Sequence, residues 1–345
     1  MIDWTRGYTS TFRAYEVDRR TWTETSEIGR VDTASVDNDS EGALQSGALS
    51  ITASPDEQFG ERYVRIRLDA DQSNSTEHVD IVTLLCTAAS GAYDHNVDTL
   101  DVEGRSVLYP ASTRMVHDIG TDPYAPMGAD GAAFAAQLLR KCIAAPVSVE
   151  CSFLLGRSVV FDPSDSYLDA AWEVLDVGGC IMQVDGRGVV HILEAPEKPD
   201  PDYGVVSAAQ LMPGVGHELD YSEIPNRYFA VYGATAASAE NDDPASPTST
   251  VTRGYYVDER DESPKLKDGE SLAMYARRKL AERSVAHDTR NYKREYIPGV
   301  LPGSMVRVQA AGMDGMYRVR RQSLAIGRGI TVDEESVEEV RTWQG

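Results

Sequence analysis

Three acidic runs bring carboxylates close enough together to suggest chemistry: residues 37–41, 240–244 and 333–339. Paired carboxylates at a set separation hydrolyse glycosidic bonds, and Asp-rich loops bind calcium. These runs have the composition of turns or of a chain end, and no apolar residues flank them that would bury a carboxylate and raise its pKa. The first run also lacks the glycine and final glutamate of a twelve-residue calcium loop. We therefore interpret all three runs as solvent-exposed surface.

Residue types of other catalytic classes lack partners at a useful spacing. The string GADGAA (128–133) has glycines without the preceding strand of a dinucleotide-binding fingerprint, and no Walker loop occurs. The string HELD (217–220) has no second histidine four residues after its first, as a zinc-binding helix would require. We expect no catalytic, cofactor-binding or metal-binding residue, and therefore no enzymatic activity.

Composition narrows the class of protein further. With 55 acidic and 33 basic residues the net charge is −22, so the chain should be repelled by nucleic-acid phosphate and by anionic membranes. This charge can serve solubility alone, or it can provide a surface past which DNA slides without sticking. No apolar run is long enough to span a bilayer, and the first twenty residues do not resemble a signal peptide. The four cysteines lie in apolar surroundings, which predicts reduced core thiols: Cys86, Cys142, Cys151 and Cys180.

The pattern of the chain predicts three domains of an α+β, mainly β protein. Residues 1–110 contain short alternating strands, such as RYVRIRLDA with Val64, Ile66 and Leu68 on one face, and this spacing is typical of a barrel or sandwich. Residues 111–200 change period, which indicates an inserted α/β domain. A helix there follows Asp130, and a second helix ends at two glycines before an Asp-Gly hairpin.

Residues 205–345 return to a strand pattern. The string NRYFAVYGA predicts a strand and VTRGYYVDER predicts its returning partner. Between them, residues 234–250 have the Ser/Pro-rich acidic composition of a mobile loop. Residues 270–286 predict an amphipathic helix, which is followed by the strands that close the domain.

The order of elements at the end of the chain resembles the C-terminal part of bacteriophage tail hub proteins. In that family a helix and a strand precede an L-x-P-G-[DS]-x-V-x-V turn and strand, and a G-x-Y-x-V strand closes the barrel. The first element is matched by Pro302, Gly303, Ser304, Val306 and Val308, with Leu301 directly before the proline instead of two residues before it. The second element is matched by Gly315, Tyr317 and Val319. Ser304 stands where the family most often has Asp. Looser matches upstream extend the resemblance over most of the chain.

The resemblance implies a structural hub of a phage or prophage-derived tail tip or baseplate. The implied fold is two tube-like β-barrel domains, 1–110 and 205–345, with the smaller domain inserted at 111–200. Three copies of two similar domains form a pseudo-sixfold ring, which joins a sixfold tail tube to a threefold tip and encloses part of the DNA channel. The implied partners are further copies of the chain in a homotrimer, the distal tail protein, the tape-measure protein and spike or fibre proteins. The implied location is the virion, after assembly in the host cytoplasm.

Two other readings stay open. One is a receptor-binding or carbohydrate-binding module of a tail tip, which predicts exposed Trp and Tyr on loops, whereas Trp172 and Trp343 fall in predicted elements. The other is the hub of a contractile injection machine, which has the same architecture. For the closing hairpin, we predict that Pro302, Gly303, Ser304, Gly315 and Tyr317 are structural turn residues, with both glycines at positive φ.

Overall fold

A computed structural model shows a mainly β chain with five short helices among the described residues. No helix in this part of the chain is long and apolar enough to cross a membrane. The described residues are 2, 4, 7–53, 60–72, 75–94, 97–116, 124–201, 204–266, 269–310 and 313–344.

The first segment forms six antiparallel strands that pair in a closed ring. They are β1 (Thr9–Val17), β2 (Glu24–Asp39), β3 (Gln45–Ala53), β4 (Arg62–Gln72), β5 (Ser75–Asp94) and β6 (Val97–Ser106). The pairing order is β1, β4, β5, β6, β3, β2, and β2 returns to β1. Val64, Ile66 and Leu68 point into the enclosed core, as predicted. Tyr63 and Arg65, on the opposite face of the same strand, are also buried because the inserted segment packs on that side.

The inserted segment contains the predicted helices and hairpin. Its elements are α1 (Tyr109–Thr113), β7 (Tyr124–Ala125), α2 (Gly131–Arg140), β8 (Val147–Val149), β9 (Val159–Val160), α3 (Tyr167–Gly178), β10 (Cys180–Val184) and β11 (Val190–Glu194). The Asp130 side chain caps α2 by accepting from the Ala133 N–H. Ser166 and Asp169 form a reciprocal capping box on α3. Gly179 ends α3 with φ of 68°, a conformation that glycine adopts readily.

The third segment splits into a small sheet and several strands that belong to a larger one. Its elements are β12 (Val205–Ser207), β13 (Leu211–Asp220), β14 (Arg227–Tyr232), β15 (Thr235–Glu240), α4 (Thr250–Arg253), β16 (Asp258–Asp261), α5 (Leu272–Arg283), β17 (Val285–Glu295), β18 (Met305–Ala310), β19 (Met313–Ile326) and β20 (Ile330–Arg341). The predicted helix is confirmed as α5, which covers one side of the three-stranded sheet β15-β14-β16 through Tyr275, Ala276 and Leu280.

A single sheet connects the first and third segments. Residues 321–326 of β19 pair with residues 34–39 of β2, so the order β6-β3-β2-β19-β20-β17-β13 is continuous. The buried side of this sheet contributes to two cores. One lies within the ring of β1 to β6 and includes Val332 of β20, and the other lies between β12, β17, β18 and β19.

The segment predicted as a mobile loop has regular structure. Residues 235–240 form β15, which pairs antiparallel with β14, and Asn241 and Thr248 are fully buried. The Asn241 side chain donates to Ser246 Oγ at 2.9 Å, and Thr248 Oγ1 donates to Thr342 Oγ1 at 3.0 Å. These bonds satisfy buried polar groups that water would otherwise solvate. The predicted return strand VTRGYYVDER is also corrected, because it forms α4 and the short β16, which runs parallel to β14.

The turn of the inserted hairpin docks onto the ring of the first segment. Arg65 is 6% exposed and donates to the Arg187 carbonyl at 2.8 Å, which also accepts from Trp22 Nε1 at 2.8 Å. Thr83 Oγ1 donates to the Gly186 carbonyl at 2.9 Å. Because a buried guanidinium needs acceptors, these contacts fix the hairpin on the ring.

Candidate functional site: an acidic sheet face and the turn behind it

The closing turn has the geometry that its sequence favours. Ser304 N–H donates to the Leu301 carbonyl at 2.9 Å, with Pro302 second and Gly303 third in the turn. Gly303 has φ of +90°, as the third position of a type II turn requires. The Ser304 hydroxyl accepts from the Leu301 N–H at 3.2 Å. The turn then passes directly into β18.

The same turn contacts the inserted segment. Gln183 of β10 donates from Nε2 to the Pro302 carbonyl at 2.9 Å. A Cβ added at Gly303 would lie 3.0 Å from Gln183 Nε2 and 3.0 Å from Ile181 Cδ1. The hairpin β10–β11 therefore contacts the ring through its turn and the third segment through β10, which joins all three segments.

Gly315 and Tyr317 lie in a strand and not in a turn. Gly315 lies inside β19, where it pairs with Val308 of β18. It is not among the described residues with positive φ. The prediction that Gly315 sets a turn is corrected on this ground. A Cβ on Gly315 would lie 3.2 Å from the Tyr317 ring, so the missing side chain leaves room for that buried ring two residues along the strand.

We expect Gly303→Val to destabilise the protein by about 1–3 kcal/mol, because valine is strained at positive φ and would press on Gln183 and Ile181. Gly315→Val should cost less at the backbone and act mainly by displacing the Tyr317 ring. Chemical denaturation of both variants measures these costs. Equal stability of Gly303→Val and the parent protein would contradict the role given to this turn.

One side of the continuous sheet is exposed and forms what we call the acidic face. Cross-strand partners share a side of a sheet, and one row of partners crosses six strands: Arg105, Ser46, Asp37, Ser323, Asp333 and Lys293. All six are exposed or half-exposed. The side chains on the opposite side are buried, among them Val36, Leu49, Val102, Leu324 and Val332.

Short polar and acidic side chains dominate the acidic face. Its carboxylates include Asp37, Asp39, Asp101, Glu103, Glu218, Asp333 and Glu335, and its basic groups include Arg105, Lys293, Arg320 and Arg321. Lys293 pairs with Asp333 at 3.1 Å, Arg321 with Asp39 at 2.9 Å and Arg320 with Glu335 at 3.5 Å. Because the seven named carboxylates outnumber these four basic groups, the field over this face is negative. The Ser and Ala side chains between the charged residues are small and do not project far from this face.

The sheet ends in an edge strand, β13. Among the described strands it pairs with β17 only, and residues 213–220 are all exposed. On its core-facing side Val215 and Leu219 are 43% and 37% exposed. An edge strand with open backbone groups and uncovered apolar side chains can pair with a strand from another chain.

A buried polar network lies behind the acidic face. Arg294 and Glu334 are 0% and 2% exposed, and Arg294 Nε donates to Glu334 Oε2 at 3.0 Å. Gln322 Nε2 donates to the same oxygen at 2.8 Å, and the Tyr292 hydroxyl donates to the other. Burial, and next the Glu334 carboxylate, raise the pKa of Tyr292 well above its usual value. This network corrects the interpretation of residues 333–339 as wholly solvent-exposed.

The described residues contain no cluster of three or more His, Cys, Asp or Glu side chains arranged to hold a metal ion. The four cysteines are reduced and form no disulfide bond among the described residues. His217, from the HELD string, lies on the edge strand with Nε2 3.0 Å from Asp288. Two features of the site were not predicted from the sequence. The carboxylates of the acidic face become neighbours only after folding, and Arg294 and Glu334 are forty residues apart.

Comparison with known proteins places the fold. No protein-family model matches the sequence, and no curated protein is significantly similar. A solved tail protein from Neisseria meningitidis MC58 matches with a TM-score of 0.67 at 14% identity, covering 96% of this chain and 97% of that one. The 43 kDa tail protein of prophage MuSo2 from Shewanella oneidensis matches with a TM-score of 0.61 at 12% identity, covering 96% and 98%.

A third match comes from another kind of machine. An Escherichia coli component of the type VI secretion system, described as structurally similar to the T4 tail proteins gp27 and gp5, has a TM-score of 0.51 at 9% identity. The match covers 92% of this chain and 76% of that one. The chain therefore has the fold of solved phage tail proteins, and the resemblance stated from sequence is confirmed at the level of the fold.

Proposed function

We propose that this protein is a non-enzymatic structural hub of a phage or prophage-derived tail tip or baseplate, and that its acidic face lines the DNA channel. The observation that carries the proposal is this face, which is continuous from β6 to β13. Carboxylates repel DNA phosphates, and short side chains provide few groups that could bind a duplex. A passing duplex would meet a wall that does not bind it.

The edge strand supports assembly with further copies. A homotrimer of two tube-like units per chain, one built on β1–β6 and one on β12, β13 and β17–β20, gives six units around a central opening. β13 leaves backbone groups and two apolar side chains for a neighbouring copy to cover. Such a ring matches a sixfold tail tube on one side and a threefold tip on the other. The proposed partners are the distal tail, tape-measure and spike or fibre proteins.

Two measurements test the proposed assembly: its dependence on salt concentration and its sensitivity to changes in β13. Each chain has a formal charge of −22, so repulsion opposes assembly at low ionic strength and is screened at about 0.15 M salt. We expect the trimer fraction, measured by sedimentation or native mass spectrometry, to rise with salt. The double variant Val215→Lys with Leu219→Lys should lower that fraction, because charged side chains block edge pairing.

The control for the β13 double variant is Val251→Lys, which changes an apolar residue that is 62% exposed on α4. Added lysines reduce the repulsion between acidic chains, so a purely electrostatic effect would strengthen assembly in the double variant. Weaker assembly with an unchanged thermal midpoint would therefore support edge pairing. Trimers that form equally well in the double variant and the control would contradict it.

One observation favours the receptor-binding alternative. Tyr255 and Tyr256 are 55% and 53% exposed beside the small sheet, and the Arg227 guanidinium lies 3.9 Å from the Tyr256 ring centroid. Exposed aromatic rings next to polar groups suit saccharide binding. The acidic face is much larger and is formed by the main sheet, so we place the hub first and keep this patch as the second candidate. The hub of a contractile injection machine stays a variant of the first proposal.

A further inference from the structure

The inserted segment brings two thiols into contact. Cys151 Sγ lies 3.1 Å from Cys180 Sγ, closer than two sulfur atoms lie in ordinary packing. Cys180 begins β10 and is 5% exposed, while Cys151 lies two residues beyond the end of β8 and is half-buried. The 28 residues between them include β9 and α3.

We propose that Cys151 and Cys180 are a modification site that a small-molecule disulfide converts to an intramolecular disulfide bond. The two sulfur atoms need to approach by only about 1 Å to reach bonding distance. Cys151 is within reach of a small oxidant at the surface, and Cys180 lies directly behind it. The cytoplasm keeps such thiols reduced, whereas the extracellular medium permits the bond.

The reaction takes place in two exchange steps that balance. The Cys151 thiolate attacks one sulfur of the small disulfide, forms a mixed disulfide and releases one small thiolate. The Cys180 thiolate then attacks the Cys151 sulfur and releases the second small thiolate. The protein thiols lose two protons and two electrons, and one small disulfide becomes two thiols. Burial, and next the neighbouring Cys151 thiol, raise the pKa of Cys180 to about 12, which favours Cys151 as the first attacker.

The Cys151–Cys180 disulfide bond would stabilise the inserted segment, which contacts both the first and the third segment. It would close a loop around α3 and fix the start of β10, the strand that carries Gln183 to the closing turn. Cross-linking a loop of this length restricts the unfolded chain, so the oxidised protein should be more heat-resistant. The proposed function supplies the setting, since a virion leaves the cell, but the thiol contact exists whether or not the chain is a hub.

The experiment uses the full-length protein and oxidised glutathione. After incubation, free thiols are alkylated and the protein is digested under non-reducing conditions for mass spectrometry. We expect one peptide pair linked through Cys151 and Cys180, with Cys86 and Cys142 alkylated. The thermal midpoint should rise by roughly 5 °C or more and return on reduction. Cys142→Ser should behave like the parent protein.

Two variants test the assignment. Cys151→Ser changes the more exposed thiol and should lose both the linked peptide and the thermal shift. Cys180→Ser should lose them too, although burial of the hydroxyl could disturb folding, in which case Cys151→Ser decides alone. A glutathione adduct that persists on Cys151 without a Cys151–Cys180 link would overturn the proposal, as would a link through Cys142. Neither result bears on trimer formation, so this site and the hub can fail separately.

Discussion

Glu334→Ala is expected to destabilise the protein by about 3–5 kcal/mol, the cost of leaving one member of a buried ion pair without its partner. Arg294 is 0% exposed, and its guanidinium is held by Glu334 through Nε and Nη2. Gln322 and Tyr292 also direct their donors to this carboxylate. Removing it leaves a buried cation without its counter-charge, and it takes one acceptor each from Gln322 and Tyr292, which keep only the Val300 carbonyl and Ser336 Oγ.

Urea denaturation of Glu334→Ala and of Glu339→Ala measures this cost. Glu339 is exposed in the same acidic run, so its replacement should change stability by less than about 0.5 kcal/mol. Arg294→Met combined with Glu334→Leu should recover much of the loss, because apolar residues of similar volume often replace buried ion pairs well. If Glu334→Ala and Glu339→Ala unfold at the same urea concentration, the buried network does not stabilise the sheet.

Gly186→Ala is expected to have the second large effect. A Cβ at Gly186 would lie 1.7 Å from the Asp80 carbonyl oxygen, which is backbone and cannot rotate away. The hairpin turn would have to lift from the ring and take the Arg187 carbonyl away from Arg65. Overpacking at a tight contact costs about 1–3 kcal/mol. The buried Arg65 guanidinium would also lose one of its three acceptors, although it keeps Thr83 and Glu24. We expect a total of about 2–4 kcal/mol.

The control for this change is Gly327→Ala. A Cβ there meets nothing within 4 Å, and the backbone has no positive φ that would strain alanine. It should be neutral or slightly stabilising. Hydrogen exchange should show faster exchange in residues 180–194 of Gly186→Ala and unchanged rates in Gly327→Ala. Protection of that hairpin at parent levels in Gly186→Ala would show that the inserted segment does not depend on this contact.

Local signals in the sequence predicted the local structure well. Asp130 before an apolar stripe predicted the start of α2, and the two glycines after Val177 predicted the end of α3. The Pro-Gly pair predicted the turn at Gly303, where a positive φ is a property of the residue type. Each of these features is decided by residues within a few positions of one another, so no knowledge of the tertiary fold is needed.

Long-range features carried no such signal. Ser323 of β19 pairs with Asp37 of β2, and nothing in either strand specifies the other as its partner. Glu334 was grouped with its acidic neighbours, although it continues the inward alternation of Ile330 and Val332. An inward carboxylate becomes reasonable only when Arg294 is known to face it. The same holds for residues 241–250, whose polar composition suggested a loop before their hydrogen-bond partners were known.

The central claim is that the acidic face lines a channel, and a reconstruction of the assembled tail tip tests it most directly. We predict three copies of the chain around a central opening, with Asp37, Glu103 and Asp333 facing the lumen and β13 of each copy against its neighbour. The lumen should be acidic or neutral along its length. A peripheral position, six copies, or an acidic face that points away from a basic lumen would contradict this prediction.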